Sequence, residues 1–233
     1  MKRTVKHNNL ECIFDSDMHS YIVDNVFLES VTSYKKSFFP EFDMQKQAEI
    51  YARKNAVSAK SVLKNWKHKG LVGRTKGQTL HTYAEKLLQK VPFDYTTYGE
   101  YIPVLKKLTF QLLNKFEVFG IEYIVFSLNL KLAGTLDAIL IAGNRVMLLD
   151  WKTDKAIKTS NSWDRAYHPF SSLDACNFNE YAVQLNLYQY IIKEENYFPK
   201  QTIFMKRIVH LTDNKAIWYK IPDLQPQIKK IFS

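Results

Sequence analysis

"LAGTLDAILIAGNRVMLLDWKTDK", residues 132–155, is the stretch that decides the fold. Two apolar runs flank Gly143-Asn144, a dipeptide favoured in two-residue hairpin turns. Facing positions of such a hairpin share one sum of residue numbers, which sets Asp137 across from Asp150. Cross-strand partners share a face with Cβ atoms about 4.5–5.5 Å apart, and like charges there destabilise the sheet. Positions i and i+2 of a strand also share a face, so Lys152 lies beside Asp150. Lys152 can offset one negative charge. A divalent cation held by both carboxylates can offset two, and carboxylate oxygen suits Mg²⁺. A buried Asp–Lys ion pair beside a hydrogen-bonded turn aspartate is the simpler alternative, but it leaves the shared register of three charges unexplained.

Outward from the hairpin, "IEYIVFSLNL" (121–130) is strand-like, being rich in β-branched and aromatic residues. A polar loop over 154–179 leads to a helix, "NEYAVQLNLYQYIIKEE", with Asn179 at its cap. Two more strands, "QTIFMKRIVHL" and "KAIWYKI", follow. Upstream, helical periodicity covers 58–69 and ends at Gly70, resumes over 78–89 after the loop "GLVGRTKG", and appears again over 102–119. The order of helices, three strands, helix and two strands predicts an α/β fold, a mixed sheet flanked by helices. Residues 1–50 mix short strand-like runs, such as "NVFLESVTSY", with aromatic, proline-broken stretches, and read as an N-terminal helical and aromatic extension. One domain of 233 residues is expected, with 1–70 a basic, substrate-guiding region ahead of a catalytic core over 71–233.

Hydrophobic residues make up 46% and charged residues 24%, as in ordinary globular proteins. No apolar run approaches the ~20 residues of a membrane span. The N-terminus has no apolar core of a signal peptide, so an intracellular protein is expected. The two cysteines, Cys12 and Cys176, are too few for a disulfide framework or a four-cysteine iron–sulfur cluster. No phosphate-loop motif points to a bound nucleotide. Net charge is +10, and Ile50–Ala84 holds Arg53, Lys54, Lys60, Lys64, Lys67, Lys69, Arg74 and Lys76 without one Asp or Glu. Clustered positive charge favours a polyanion through counterion release, although a solvated basic face has the same composition.

Gly-Thr-Leu-Asp at 134–137, Asp-Trp-Lys at 150–152 and Gln184-Leu-Asn-Leu-Tyr188 together resemble the PD-(D/E)XK nuclease superfamily. With Trp66 and a Gly-x-x-x-His pattern at Gly77–His81, they are similar to its RecB-type branch, which includes the mitochondrial genome maintenance exonucleases. The resemblance implies a restriction-endonuclease-like fold and a Mg²⁺- or Mn²⁺-dependent DNA exonuclease serving repair, recombination or replication. It implies metal ligands at His81, Asp137, Asp150 and the Trp151 carbonyl, with Glu122 as an accessory carboxylate. Lys152 is expected to orient the attacking water and stabilise charge on the phosphate. Beside a cation its pKa should fall, which would let it serve as general base. Gln184 and Tyr188 share a helix face and are expected to contact Lys152 or the scissile phosphate, whereas Tyr181 reads as core. Lys60, Lys64, Lys67, Arg74, Lys76 and Lys155 are expected along the DNA, which should have a free end and be single-stranded near the site. Trp163, Tyr167 and Phe170 in the long loop suit either base stacking or burial. A non-catalytic nucleic-acid-binding module on a nuclease fold, or an RNA-processing nuclease, would share much of this pattern.

Overall fold

The computed structural model describes residues 2–18 and 20–233. Four antiparallel strands open it: β1 (Lys2–His7), β2 (Leu10–Asp15), β3 (Ser20–Val23) and β4 (Val26–Ser30). This meander takes up residues 2–30 of the expected helical and aromatic extension, whose helices begin at Val31. Its tight turns are Asn8-Asn9 and Asp24-Asn25, each with φ between 48 and 63°, the left-handed pair that a type I′ hairpin requires. A short helix α1 (Val31–Tyr34), a 3₁₀ turn (Lys35–Phe38) and α2 (Met44–Asn55) lead to α3 (Ala59–Gln89). Helix α4 (Ile102–Leu113) precedes β5 (Glu117–Ser127), β6 (Leu132–Ala142) and β7 (Arg145–Lys152). Helix α5 (Asn177–Glu194), β8 (Ile203–Leu211), β9 (Ala216–Lys220) and α6 (Gln225–Phe232) complete the chain.

The nine strands form one mixed sheet. The β6–β7 hairpin has the predicted register, from Ala142↔Arg145 to Ala138↔Leu149. Gly143 takes φ +59° at the first turn position. One edge of β6 pairs with β5 along its length. The other edge pairs with β7 at one end and, in parallel, with β4 at Leu132 and Ala133. Between those two neighbours lies a fork, residues 134–137, and Asp137 stands at its mouth. Helices α5, α1 and α6 cover one face, packing on Leu136, Ile139, Leu148 and Ile208. Helices α3 and α4 cover the other, packing on Ala138, Leu140, Leu149 and Trp151.

Three boundaries differ from expectation. Residues 70–77 are not a loop: α3 is one helix of 31 residues running straight through Gly70, Gly73 and Gly77. Glycine costs about 1 kcal/mol per helical position relative to alanine. Here both ends are anchored, the first by packing of Val62, Leu63 and Trp66 on Ala48 and Ala52 of α2, the second by Leu80, Tyr83, Ala84 and Leu88 in the core. Helix α4 stops at Leu113, because 117–119 already belong to β5. Helix α5 starts at Asn177 behind Cys176, and Asn179 does not cap it but donates its amide to the Asp174 carbonyl at 2.8 Å.

Candidate active site

The pleat of β5 and β6 slips where the expected site residues lie. Leu132 and Leu136 pack with α5, whereas Ala138 and Leu140 pack with α3 and α4. Strict alternation would keep all four on one face. On β5, Ile121 and Tyr123 change sides in the same way around Glu122, which takes φ +47°. That backbone conformation is uncommon for a residue with a Cβ and breaks the strand locally. The slip turns Asp137 towards α3, while Asp150 keeps the regular alternation of β7 and turns towards α5. The two aspartates therefore do not stand directly face to face as regular pairing predicts.

Asp137 is gripped from two directions. Its Oδ2 accepts the Trp151 backbone N–H at 2.6 Å, and its Oδ1 lies 3.4 Å from Nδ1 of His81 on α3. Burial alone would raise the Asp137 pKa, but His81, Lys152 and that N–H outweigh it and hold the carboxyl below its usual range. Burial works against charge on His81 as well, and Asp137 overcomes it, so the imidazole pKa is raised. Glu122 completes the group: one ligand atom from each of His81, Glu122 and Asp137 lies within 4.8 Å of the others. Burial, then the nearby Asp137 charge, push the Glu122 carboxyl up to about 7. Arg3 of β1 approaches it, with Nη1 3.6 Å from Oε2.

On the α5 side Asp150 forms an ion pair with Lys152, both largely buried. Burial opposes charge on Lys152, but Asp150 and Asp137 prevail and hold the ammonium protonated. Lys152 Nζ sits 4.6 Å from the centre of the Tyr181 ring. Tyr181 packs against the α5-side core and also faces the site: its hydroxyl donates to Asp154 Oδ2 at 2.9 Å and its ring lies under Lys152. Tyr188 is buried against Gly134, where any Cβ would come within 2.6 Å of its ring, and its hydroxyl donates to the Thr135 carbonyl at 3.1 Å. Gln184, also buried, accepts at Oε1 from Lys35 Nζ at 3.0 Å, rather than meeting Lys152. Sequence patterns gave no hint of Lys35.

Cavities open on both sides of α3. One, of about 970 Å³, is lined by Arg3, Tyr21, Ser30, Lys36, Glu122 and Tyr188. The other, of about 840 Å³, is lined by His68, Lys152, Asp154, Lys155 and Tyr181. Arg74, Gly77 and His81 border both. Lys60, Lys64 and Lys67 are exposed along the outer half of α3, whereas Lys76 is partly engaged, donating to Tyr101 Oη at 3.2 Å. The loop aromatics divide: Phe170 is fully buried against Phe38, and Trp163 is 89% exposed.

The donor set fits a divalent cation. One imidazole and two carboxylates converge from three elements, and carboxylate oxygen with imidazole nitrogen suits Mg²⁺, Mn²⁺ and their neighbours. Asp150 adds a second sign. Beyond its ion pair with Lys152, its buried Oδ2 has no hydrogen-bond partner among the described residues. Among those residues no helix is long and apolar enough to cross a membrane. No curated protein sequence matches the chain. The family model described as the PD-(D/E)XK nuclease superfamily matches residues 61–231. This span holds the hairpin, the His81 helix and the Gln184–Tyr188 helix, and typical members use divalent metal ions to cut nucleic acid. The chain belongs to the PD-(D/E)XK nuclease superfamily.

Proposed function

We propose that the protein is a Mg²⁺- or Mn²⁺-dependent exonuclease that hydrolyses phosphodiester bonds from the ends of DNA, with a single strand at the site. The observation that carries the chemistry is the convergence of His81, Asp137 and Glu122 within 4.8 Å, next to the protonated Lys152 and its partner Asp150. His81, Asp137 and Glu122, with Asp150 and the Trp151 carbonyl alongside, would hold the cation. When bound, it would supply Lewis-acid polarisation of the phosphate and a more acidic water. The chain's own groups do the rest. Lys152 keeps its proton and places positive charge where negative charge builds on the phosphate oxygens. The buried Gln184 and Tyr188 fix the floor on which the phosphate rests. Water adds to phosphorus and gives up its proton to solvent, the bond to the 3′ oxygen breaks, that oxygen takes a proton from solvent and leaves as a hydroxyl, and the other product carries a 5′-phosphate.

Preference for a free end is supported by α3. Helix residues Gly70, Gly73, Gly77 and His81 fall on one stripe at helical spacing. The helix lies between two cavities that share Arg74, Gly77 and His81. A strand occupying both would cross α3, an arrangement that suits a strand entering by its free end. Arg74, Lys155 and the exposed Lys60, Lys64 and Lys67 would line its approach. Roles in repair, recombination or replication follow from the same activity.

The test is digestion of 5′- and 3′-labelled linear DNA, closed circular DNA and RNA of one sequence, with Mg²⁺, Mn²⁺ or EDTA. Cleavage of linear DNA that EDTA stops, with Mn²⁺ serving at least as well as Mg²⁺ and the circle resistant, is expected. Binding without cleavage of any substrate would reveal a non-catalytic module, and cleavage of RNA alone an RNA-processing enzyme.

A further inference from the structure

Lys35 lies outside the span matched by the superfamily and outside every motif, yet it reaches the centre of the site. It belongs to the 3₁₀ turn after β4 and is 5% exposed. Burying an ammonium is costly unless it is well paired. Here the nearest carboxylate is Glu180, on the first turn of α5, at 3.9 Å and with its side chain 38% exposed. The closest polar contact is the neutral Gln184 Oε1 at 3.0 Å. Lys35 Nζ also lies 5.0 Å from the centre of the Tyr181 ring, the same ring that carries Lys152. Two ammonium groups thus share one aromatic bed, and burial, followed by their mutual repulsion, lowers the Lys35 pKa to about 8.

An ammonium donates and never accepts. Lys35 therefore decides which end of the Gln184 amide faces it. With Oε1 taken, the NH₂ group points away from Lys35 and towards the Tyr188 hydroxyl. Were the amide reversed, two donors would oppose each other in a buried space, and the Tyr188 oxygen would lose its donor.

We propose that Lys35 is a positioning residue of the hydrolytic site, which fixes the Gln184 amide so that its NH₂ group holds the hydroxyl of Tyr188 at the wall of the cavity beside α3. This rests on the nuclease function proposed above. Lys35 and Gln184 line neither cavity, whereas Tyr188 lines one, so Lys35 acts through Gln184 and Tyr188 and not on the substrate itself.

A double-mutant cycle tests the link. Lys35→Met should lower kcat about tenfold with KM for DNA unchanged, and it should have no further effect in a Gln184→Ala background. Lys35→Arg, which keeps the donor, should recover part of the rate. Independently of activity, the Gln184 side-chain NH₂ resonances, identified by their loss in Gln184→Ala, should shift towards free-amide values in Lys35→Met. Multiplicative losses in the double mutant would overturn the proposal. So would a raised KM with kcat intact, which would make Lys35 a substrate contact, or an unmoved Gln184 signal in a folded Lys35→Met. A protein that cuts nothing but still shows the Gln184 shift would remove the nuclease function and leave the Lys35–Gln184 link standing.

Discussion

At the scale of residues, the site is a set of charges that hold one another in place. Lys152 is the partner that makes burial of Asp150 tolerable. Removing one member of such a pair leaves an uncompensated charge, at about 3–5 kcal/mol. Lys152→Met should therefore lower unfolding free energy by that order in denaturant melts, besides removing about 10²–10³-fold of the cleavage rate. Lys35 behaves in the opposite sense. Its folded pKa of about 8 lies below the ordinary 10.5, so the unfolded chain binds the proton more tightly. Its destabilising effect is complete below about pH 8 and is relieved as pH rises from 8 to 10.5. Relative to Lys35→Met, wild-type stability should climb by up to about 3 kcal/mol across that window, read by urea melts at stepped pH. A flat difference would show that the ammonium is not desolvated. The sequence exposed Asp137, Asp150 and Lys152 because a dipeptide turn fixes register locally. It concealed Lys35, whose partner Gln184 is 149 positions away, and it concealed the slip at Glu122, since a positive φ on glutamate has no sequence signature.

At the scale of elements, α3 shows where local rules mislead. Three glycines suggested a helix end, a loop and a restart, but packing at both ends carries the helix across them. Their environments differ. A Cβ at Gly77 would stand 3.1 Å from Thr153 Oγ1 at the end of β7, whereas Gly73 faces open space. Gly73→Ala should stabilise the protein by about 0.5–1 kcal/mol, the helix-propensity gain. Gly77→Ala should press α3 away from β7, move His81 off Asp137 and lower kcat, with little of that gain. Paired melts and rate assays separate the two. The N-terminal meander is a different kind of miss. Asn8-Asn9 and Asp24-Asn25 are hairpin turn sequences, and the alternation on either side was present in the text, but the aromatic and proline-broken residues after them dominated the assignment. The parallel joining of β4 to β6 depends on contacts more than 100 positions apart, and that of β7 to β8 on contacts 58 apart, and neither left a local trace.

For the whole molecule, charge and fold point the same way. The positive excess is concentrated where α2 and the outer half of α3 project, while Glu122, Asp137 and Asp150 gather at the fork. Single-stranded binding should weaken with salt, with a slope of about −0.7 per phosphate neutralised. Replacing Lys60, Lys64 and Lys67 by glutamine should reduce the magnitude of that slope by about 2, measured by fluorescence anisotropy from 50 to 200 mM salt. An unchanged slope would mean that these lysines are solvated and take no part. The expected α/β fold with helices on both faces is present, and what sequence could not supply was how residues from Arg3 to Tyr188 meet at one fork.

The glycine-bearing middle of α3 has one more consequence. Residues 70–75 are exposed and contribute no side chain to either anchoring cluster, so unwinding them for an instant uncovers no apolar surface. Brief fraying there is a low-energy event compared with global unfolding. A bridge that can come undone admits traffic that cannot be threaded. Under the end preference proposed above, refusal of ring-shaped substrates would be a matter of waiting time, set by how often the span breaks and rejoins, and a stiffer span would sharpen selectivity without altering a single group at the fork.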